Sequence, residues 1–286
     1  MINTKNIPNS TAGLRTRALT DYLKDSLNTY HQLEGKNNHS GQDGVQFNSL
    51  VAPDEKALKK DVAALAAYVS QQPNVEYRPS PAKDPERKEF RQDLSKRTAR
   101  WVKDSAQQML EQATAQITDP ALRTLVQTSL STVPKEFYEA PSSSSSRYHP
   151  ADEINVGGLV LHTCRVVAMA QHVGDYYGVT PKERDILTAG LILHDSCKGG
   201  EPWLKYAPNH GDVAAAHIKN TPGGDTADGK LVQQVAANHM AQWTQTASGQ
   251  HDARPPANKL DQIASYADYL AAQDDVNVTP PGYTVG

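Results

Sequence analysis

Apolar residues in the second half of the chain recur every three or four positions, the spacing that lines one face of an α-helix. Leu159, Val166, Met169 and Val173 form one such face, and Ile186, Leu187, Leu191 and Leu193 another. Leu231 with Val235, and Leu260 with Ala264 and Ala267, form two more. Thr180-Pro-Lys-Glu183 reads as a capping box with proline in the first turn, so a helix begins there and runs toward His194. Asn209, and Asp225 or Thr226, suit the N-caps of two further helices, while Pro255-Pro256 precedes a last one ending near Ala272. Upstream, Leu58, Val62, Leu65 and Val69 predict a helix over 55–70, and Phe90, Leu94, Trp101, Ala106 and Leu110 one over 87–115. No segment pairs a period-two pattern with a hairpin turn, so the fold class is all-α.

Texture divides the chain into a polar, mobile leader over 1–53 with a short candidate helix near Leu14 to Leu27, a helical accessory region over 54–132, a compact core over 133–276 and a frayed tail over 277–286. Ser142 to Ser146 has the composition of a linker. Between Lys83 and Lys103 eight Lys and Arg face four Asp and Glu, a mixture that reads first as a solvated helix face. The net charge of −3 gives no global basic field, so any nucleic-acid contact has to be local. No window is apolar enough for a membrane span, and MINTKNIPNSTAG lacks the apolar stretch of a secretory signal, so the expectation is a cytoplasmic protein without membrane contact. Cys164 and Cys197 sit in apolar helical runs and are expected as free thiols in the core.

Six residues share one situation: a metal-capable side chain on or at the end of an apolar helical face. His162 lies among Leu159, Val166 and Met169; His194 and Asp195 close Leu191-Ile-Leu. His210 opens a face with Val213 and Ala214, His239 follows Val235, and Asp268 follows Ala264 and Ala267. A lone histidine so placed reads as a hydrogen-bonded core residue. Six together would bury four imidazoles and two carboxylates with only Lys198 and Arg165 as evident cationic partners, which is unfavourable without metal.

The ordered set, in LVLHTCRVV, LILHDSCKGG, NHGDVAAAHI, NHMAQW and SYADYLAAQ, resembles the HD superfamily of metal-dependent phosphohydrolases over about 140 residues. Phe137-Tyr-Glu-Ala-Pro-Ser and Tyr148-His-Pro resemble the lead-in of bacterial and phage-type members, which would make the serine run part of the domain. The resemblance implies an all-helical HD-domain bundle with an N-terminal helical accessory region. Having both His210 and His239, the chain resembles the dinuclear branch: Asp195 would bridge two ions, with His162, His194 and Asp268 on one and His210 and His239 on the other. A set of nitrogen and oxygen donors without thiolate favours Fe, Mn, Co or Ni. Such ions generate a hydroxide at neutral pH and clamp a phosphoryl oxygen.

Lys198, in His-Asp-x-x-Lys, resembles the lysine that contacts substrate phosphate in several members; its alternative role is a cation completing a helix C-terminus. Arg165 is a second phosphate-contact candidate, with a surface salt bridge as the alternative. Trp243 and Tyr269 could stack on a base or simply pack. His172, His217 and the His251-Asp252 dipeptide, read as a surface turn, are ordinary. Family patterns often carry Gly where this chain has Ala241 and His where it has Tyr266, departures that touch the substrate pocket.

The implied activity is hydrolysis of a small phosphorylated or nucleotide-like substrate, short single-stranded nucleic acid included, with the partner of the N-terminal region unknown. Alternatives are a diiron oxygenase on the same ligand order and a non-catalytic nucleotide-binding regulator. Delivery into another cell by a specialised secretion system would also suit the polar leader.

Overall fold

A computed structural model describes residues 65, 67–77, 105–143, 149–200, 203–252, 254, 256–272 and 276–283. The expected leader, most of the two upstream helices, the charged stretch 83–103 and most of the serine run lie outside them. What is described is mainly helical. Residues 105–115 are helical, followed by α1 (Pro120–Leu130), α2 (Glu136–Glu139), α3 (Gly158–Tyr176), α4 (Pro181–Leu193), α5 (His210–Lys219), α6 (Ala227–Asn238) and α7 (Lys259–Ala271). None of the described helices is long and apolar enough to cross a membrane.

The helix starts follow local chemistry. Thr180 accepts from Glu183 N while the Glu183 side chain accepts from Thr180 N, closing the expected box at the head of α4. Asp119 caps α1, Thr226 caps α6 and Asn258 caps α7 through side-chain oxygens. Asn209 stands at the N-cap of α5 without a side-chain capping bond. Helix α3 is the apolar axis, with α4 and α7 packed on it, and α6 packs on α5 and α4. Gly190 lets α4 and α6 approach closely: a Cβ there would lie 2.5 Å from Val235 Cγ1.

The all-α class stands, and among the described residues four short strands accompany the helices. β1 (Val75–Tyr77) pairs antiparallel with β4 (Val276–Val278), and β2 (Gly199–Gly200) with β3 (Trp203–Tyr206). Strands of two to four residues are too short to show a period in sequence. Of the tail expected to fray, the described residues 277–283 are held: β4 pairs with β1, Val278 and Tyr283 are buried, and the Tyr283 hydroxyl donates to Asp152. Residues on both sides of the expected boundary near 132 share one apolar cluster. Buried Met109, Leu110, Ile117, Leu125 and Val126 join the same apolar cluster as α3 and α4, and Asp185 on α4 accepts from Thr118 N and Asp119 N.

Candidate metal centre

Three of the four expected histidines sit at helix ends and are held in one way. His194 and His239 are the C-cap residues of α4 and α6, and His210 is the first residue of α5. Each places Nδ1 against a carbonyl three residues earlier: Leu191 O at 2.6 Å, Ala236 O at 2.8 Å and Ala207 O at 3.1 Å. A neutral imidazole carries one ring proton, and donating it from Nδ1 to the main chain leaves Nε2 as a lone-pair donor. All three rings are buried.

These lone pairs converge on Asp195. His210 Nε2 and His239 Nε2 lie 3.2 Å apart, and 3.1 Å and 3.7 Å from Asp195 Oδ1. Burial, followed by the neighbouring His194, pushes His239 down to about 3, so at neutral pH that ring takes up no second proton and, with Nδ1 donating to the main chain, its Nε2 faces His210 as an acceptor. Asp195 Oδ1 and His194 Nε2 are buried with no hydrogen-bond partner. Ring nitrogens and a carboxylate gathered around one buried point fit a divalent cation, and oxygen and imidazole ligands fit first-row ions.

On the other side, His194 Nε2 lies 3.5 Å from Asp195 Oδ2 and 3.8 Å from Asp268 Oδ1, which also lies 3.0 Å from His162 Nε2. His162, His194 and Asp195 form one compact triad of candidate ligands and Asp195, His210 and His239 a second, so the two Asp195 oxygens face different groups. Burial would raise the Asp195 carboxyl, but the positive charge of Lys198, with His194 and His210, holds it well below the usual range. Lys198 Nζ donates to Asp195 Oδ2 at 2.8 Å. Its side chain therefore lies on the cluster and not on the end of α4.

His162 differs in character. Burial alone would lower its pKa, yet Glu153 and Asp268, one carboxylate at each ring nitrogen, raise it to about 9. Burial would likewise raise both carboxyls, and the bonds and charge of His162 instead hold Asp268 and Glu153 well below the carboxylate range. Glu153 and His149, whose Nδ1 lies 2.9 Å from Glu153 Oε2, were not among the expected site residues. The signal was the Tyr-His-Pro-Ala-Asp-Glu stretch before α3, seen only as part of a lead-in.

Arg165 is a correction. It is fully buried, with both terminal nitrogens on the Asp152 carboxylate at 2.7 Å, Nη1 also on Glu153 at 2.9 Å and Nε on Val278 O at 3.2 Å. Such a guanidinium is neither a phosphate contact nor a surface salt bridge; it pairs with two buried carboxylates. Trp243 and Tyr269 stack on each other, centroids 5.5 Å apart and planes 7° apart. His172 contacts Asn74 and His217 the Ser129 carbonyl, Cys164 and Cys197 are buried free thiols, and His251 is exposed beside an isolated bridge to Gln245. Ala241 is buried at φ 45°, a left-handed conformation that glycine adopts with less strain, while Tyr266 is a core residue accepting from Gln262.

The family model of the HD domain matches residues 159–273. No curated protein and no solved structure matches the chain.

Proposed function

Residues 159–273 being an HD domain, of the superfamily of metal-dependent phosphohydrolases, we propose that this chain hydrolyses a nucleotide-like phosphate ester at the Asp195 cluster. The observation that carries the reading is the convergence of His210 Nε2, His239 Nε2 and Asp195 Oδ1 on one point, each imidazole holding its Nδ1 against a main-chain carbonyl. His162, His194, Asp195 and Asp268 would hold one ion, and Asp195, His210 and His239 a second, with Fe, Mn, Co and Ni the candidates. Divalent ions in such a site acidify water and polarise a phosphoryl oxygen.

The residues do the rest. Asp195 directs one oxygen to each ligand group, which fixes both groups relative to one substrate. Carbonyl bonds hold three imidazoles in the tautomer that binds metal, and their burial excludes water and strengthens every electrostatic contact. Lys198 and Asp268 expose 15% and 19% of their side chains, whereas His162, His194, Asp195 and His239 expose 1% or less, so substrate approaches along the Lys198–Asp268 edge. There the Lys198 ammonium neutralises charge developing on the phosphoryl oxygens.

The test is phosphate release from nucleotides, cyclic dinucleotides and short single-stranded nucleic acids, by protein stripped of metal and then supplied with Mn²⁺, Fe²⁺, Co²⁺ or Ni²⁺. Turnover that appears only with metal and is quenched by chelator supports the reading. Metal uptake with dioxygen consumption and no phosphate release would transfer the site to oxygenase chemistry.

A further inference from the structure

Glu153 takes no part in the chemistry above, yet it is fully buried and central to the surroundings of His162. It ends a 3₁₀ turn (Ala151–Glu153) directly before α3, and its carbonyl accepts from both Ser142 N and Ser142 Oγ. The turn is seated tightly on the start of α3: a Cβ at Gly158 would lie 1.8 Å from the Glu153 carbonyl oxygen. Its carboxylate is divided between two tasks. Oε1 receives Arg165 Nη1 at 2.9 Å, while Oε2 lies 2.9 Å from His149 Nδ1 and, as an ion pair, 3.2 Å from His162 Nδ1, a buried nitrogen that makes no aligned hydrogen bond. Arg165 is clamped in turn by Asp152, and its guanidinium lies 5.4 Å from the centre of the Tyr283 ring, whose hydroxyl donates to Asp152.

His149 Nδ1, Glu153 Oε2 and His162 Nδ1 are close enough to hold an ion themselves. Two observations favour protons instead. The 2.9 Å separation between His149 and Glu153 is that of a hydrogen bond, and the Arg165 guanidinium on the same carboxylate repels a second cation.

We propose that Glu153 is a positioning residue: its carboxylate, anchored by Arg165 and the returning C-terminal segment, keeps the proton of His162 on Nδ1 and turns Nε2 toward the metal cluster. An outer carboxylate against a ligating imidazole sets the tautomer and raises the basicity of the metal-facing nitrogen. The other three imidazoles each hold Nδ1 against a carbonyl three residues earlier in their own segment. His162, the fifth residue of α3, lies inside the helix and not at its end, and depends on a carboxylate from the preceding turn. This inference rests on the reading that the cluster binds metal.

The experiment compares wild type and Glu153→Gln, measuring Mn²⁺ and Co²⁺ dissociation constants by chelator competition, together with ¹⁵N-histidine spectra of the zinc-loaded wild type. Expected is a 10–100-fold weaker site on the His162 side in Glu153→Gln, with the His210–His239 side unchanged and helical content retained. The spectra are expected to show His162 with a proton on Nδ1 and metal on Nε2. Unchanged affinities in a folded variant, or His162 coordinating through Nδ1, would overturn the inference and leave the metal-centre reading intact. Should the variant not fold, the tautomer in the wild type decides alone. Wild-type protein that takes up no ion would overturn both.

Discussion

The two sides of the Asp195 cluster hold their imidazoles by different means. On the His210–His239 side, each ring is pinned to a carbonyl three residues earlier, and burial lowers His239 to about 3. On the His162 side, the ring stands between Glu153 and Asp268 and is raised to about 9. The first device is local and presents lone pairs that only a cation or proton can reconcile. The second draws on residues from a turn, a distant helix and the C-terminal segment, and it stores a proton that metal must displace. One side is thus preset for metal by its own helix termini, and the other by tertiary structure.

Removing the residue common to both sides should have the largest effect. Asp195→Ala is expected to abolish phosphate release and sharply lower bound metal while circular dichroism keeps the helical signal; full activity in that variant would dissolve the comparison. His239→Ala acts on one side only. Metal analysis should show the metal-to-protein ratio falling from near two toward one, with turnover strongly reduced, and an unchanged ratio would return His210 and His239 to the core. Lys198→Ala should keep both ions and lose roughly 10²–10³ in turnover, the scale for one preorganised electrostatic partner. A loss confined to KM would mean that Lys198 only gathers substrate.

The smallest effect sharpens the contrast through pH. In metal-free protein, His239 lies near 3 when folded against an ordinary 6.5, so its contribution to stability is whole above pH 6.5 and is lost as pH falls toward 3. His162 has the opposite sign: raised to about 9, it contributes fully below pH 6.5 and loses that contribution as pH rises through 9. Thermal unfolding between pH 4 and 10 should therefore show an acid limb flattened by His239→Asn and an alkaline limb flattened by His162→Asn. Limbs that respond to the wrong variant would show that the two sides are not electrostatically distinct.

This contrast also separates what was legible in sequence from what was not. His194, His210 and His239 could be read because helix periodicity and caps place them, and their tautomer partners are residues of the same local segment. The capping box at Thr180 and the cap at Thr226 were readable for the same reason. Arg165 was misread because its partners lie 12 and 13 residues earlier and 113 later, a separation that periodicity does not encode. Tyr283 and Val278, in a Pro/Gly-rich stretch, looked loose for want of a visible partner, yet β1 lies some two hundred residues upstream. Glu153 and His149 escaped notice because they belong to a turn, where no apolar face marks a polar residue as buried.

The central claim, that the facing acceptors around Asp195 are ligands, is tested most directly by anomalous diffraction at the manganese edge from crystals of Mn²⁺-loaded protein. Expected are two peaks, one within bonding distance of His162, His194, Asp195 and Asp268, the other of Asp195, His210 and His239. Full density for the protein with no anomalous peak at Asp195 would contradict it.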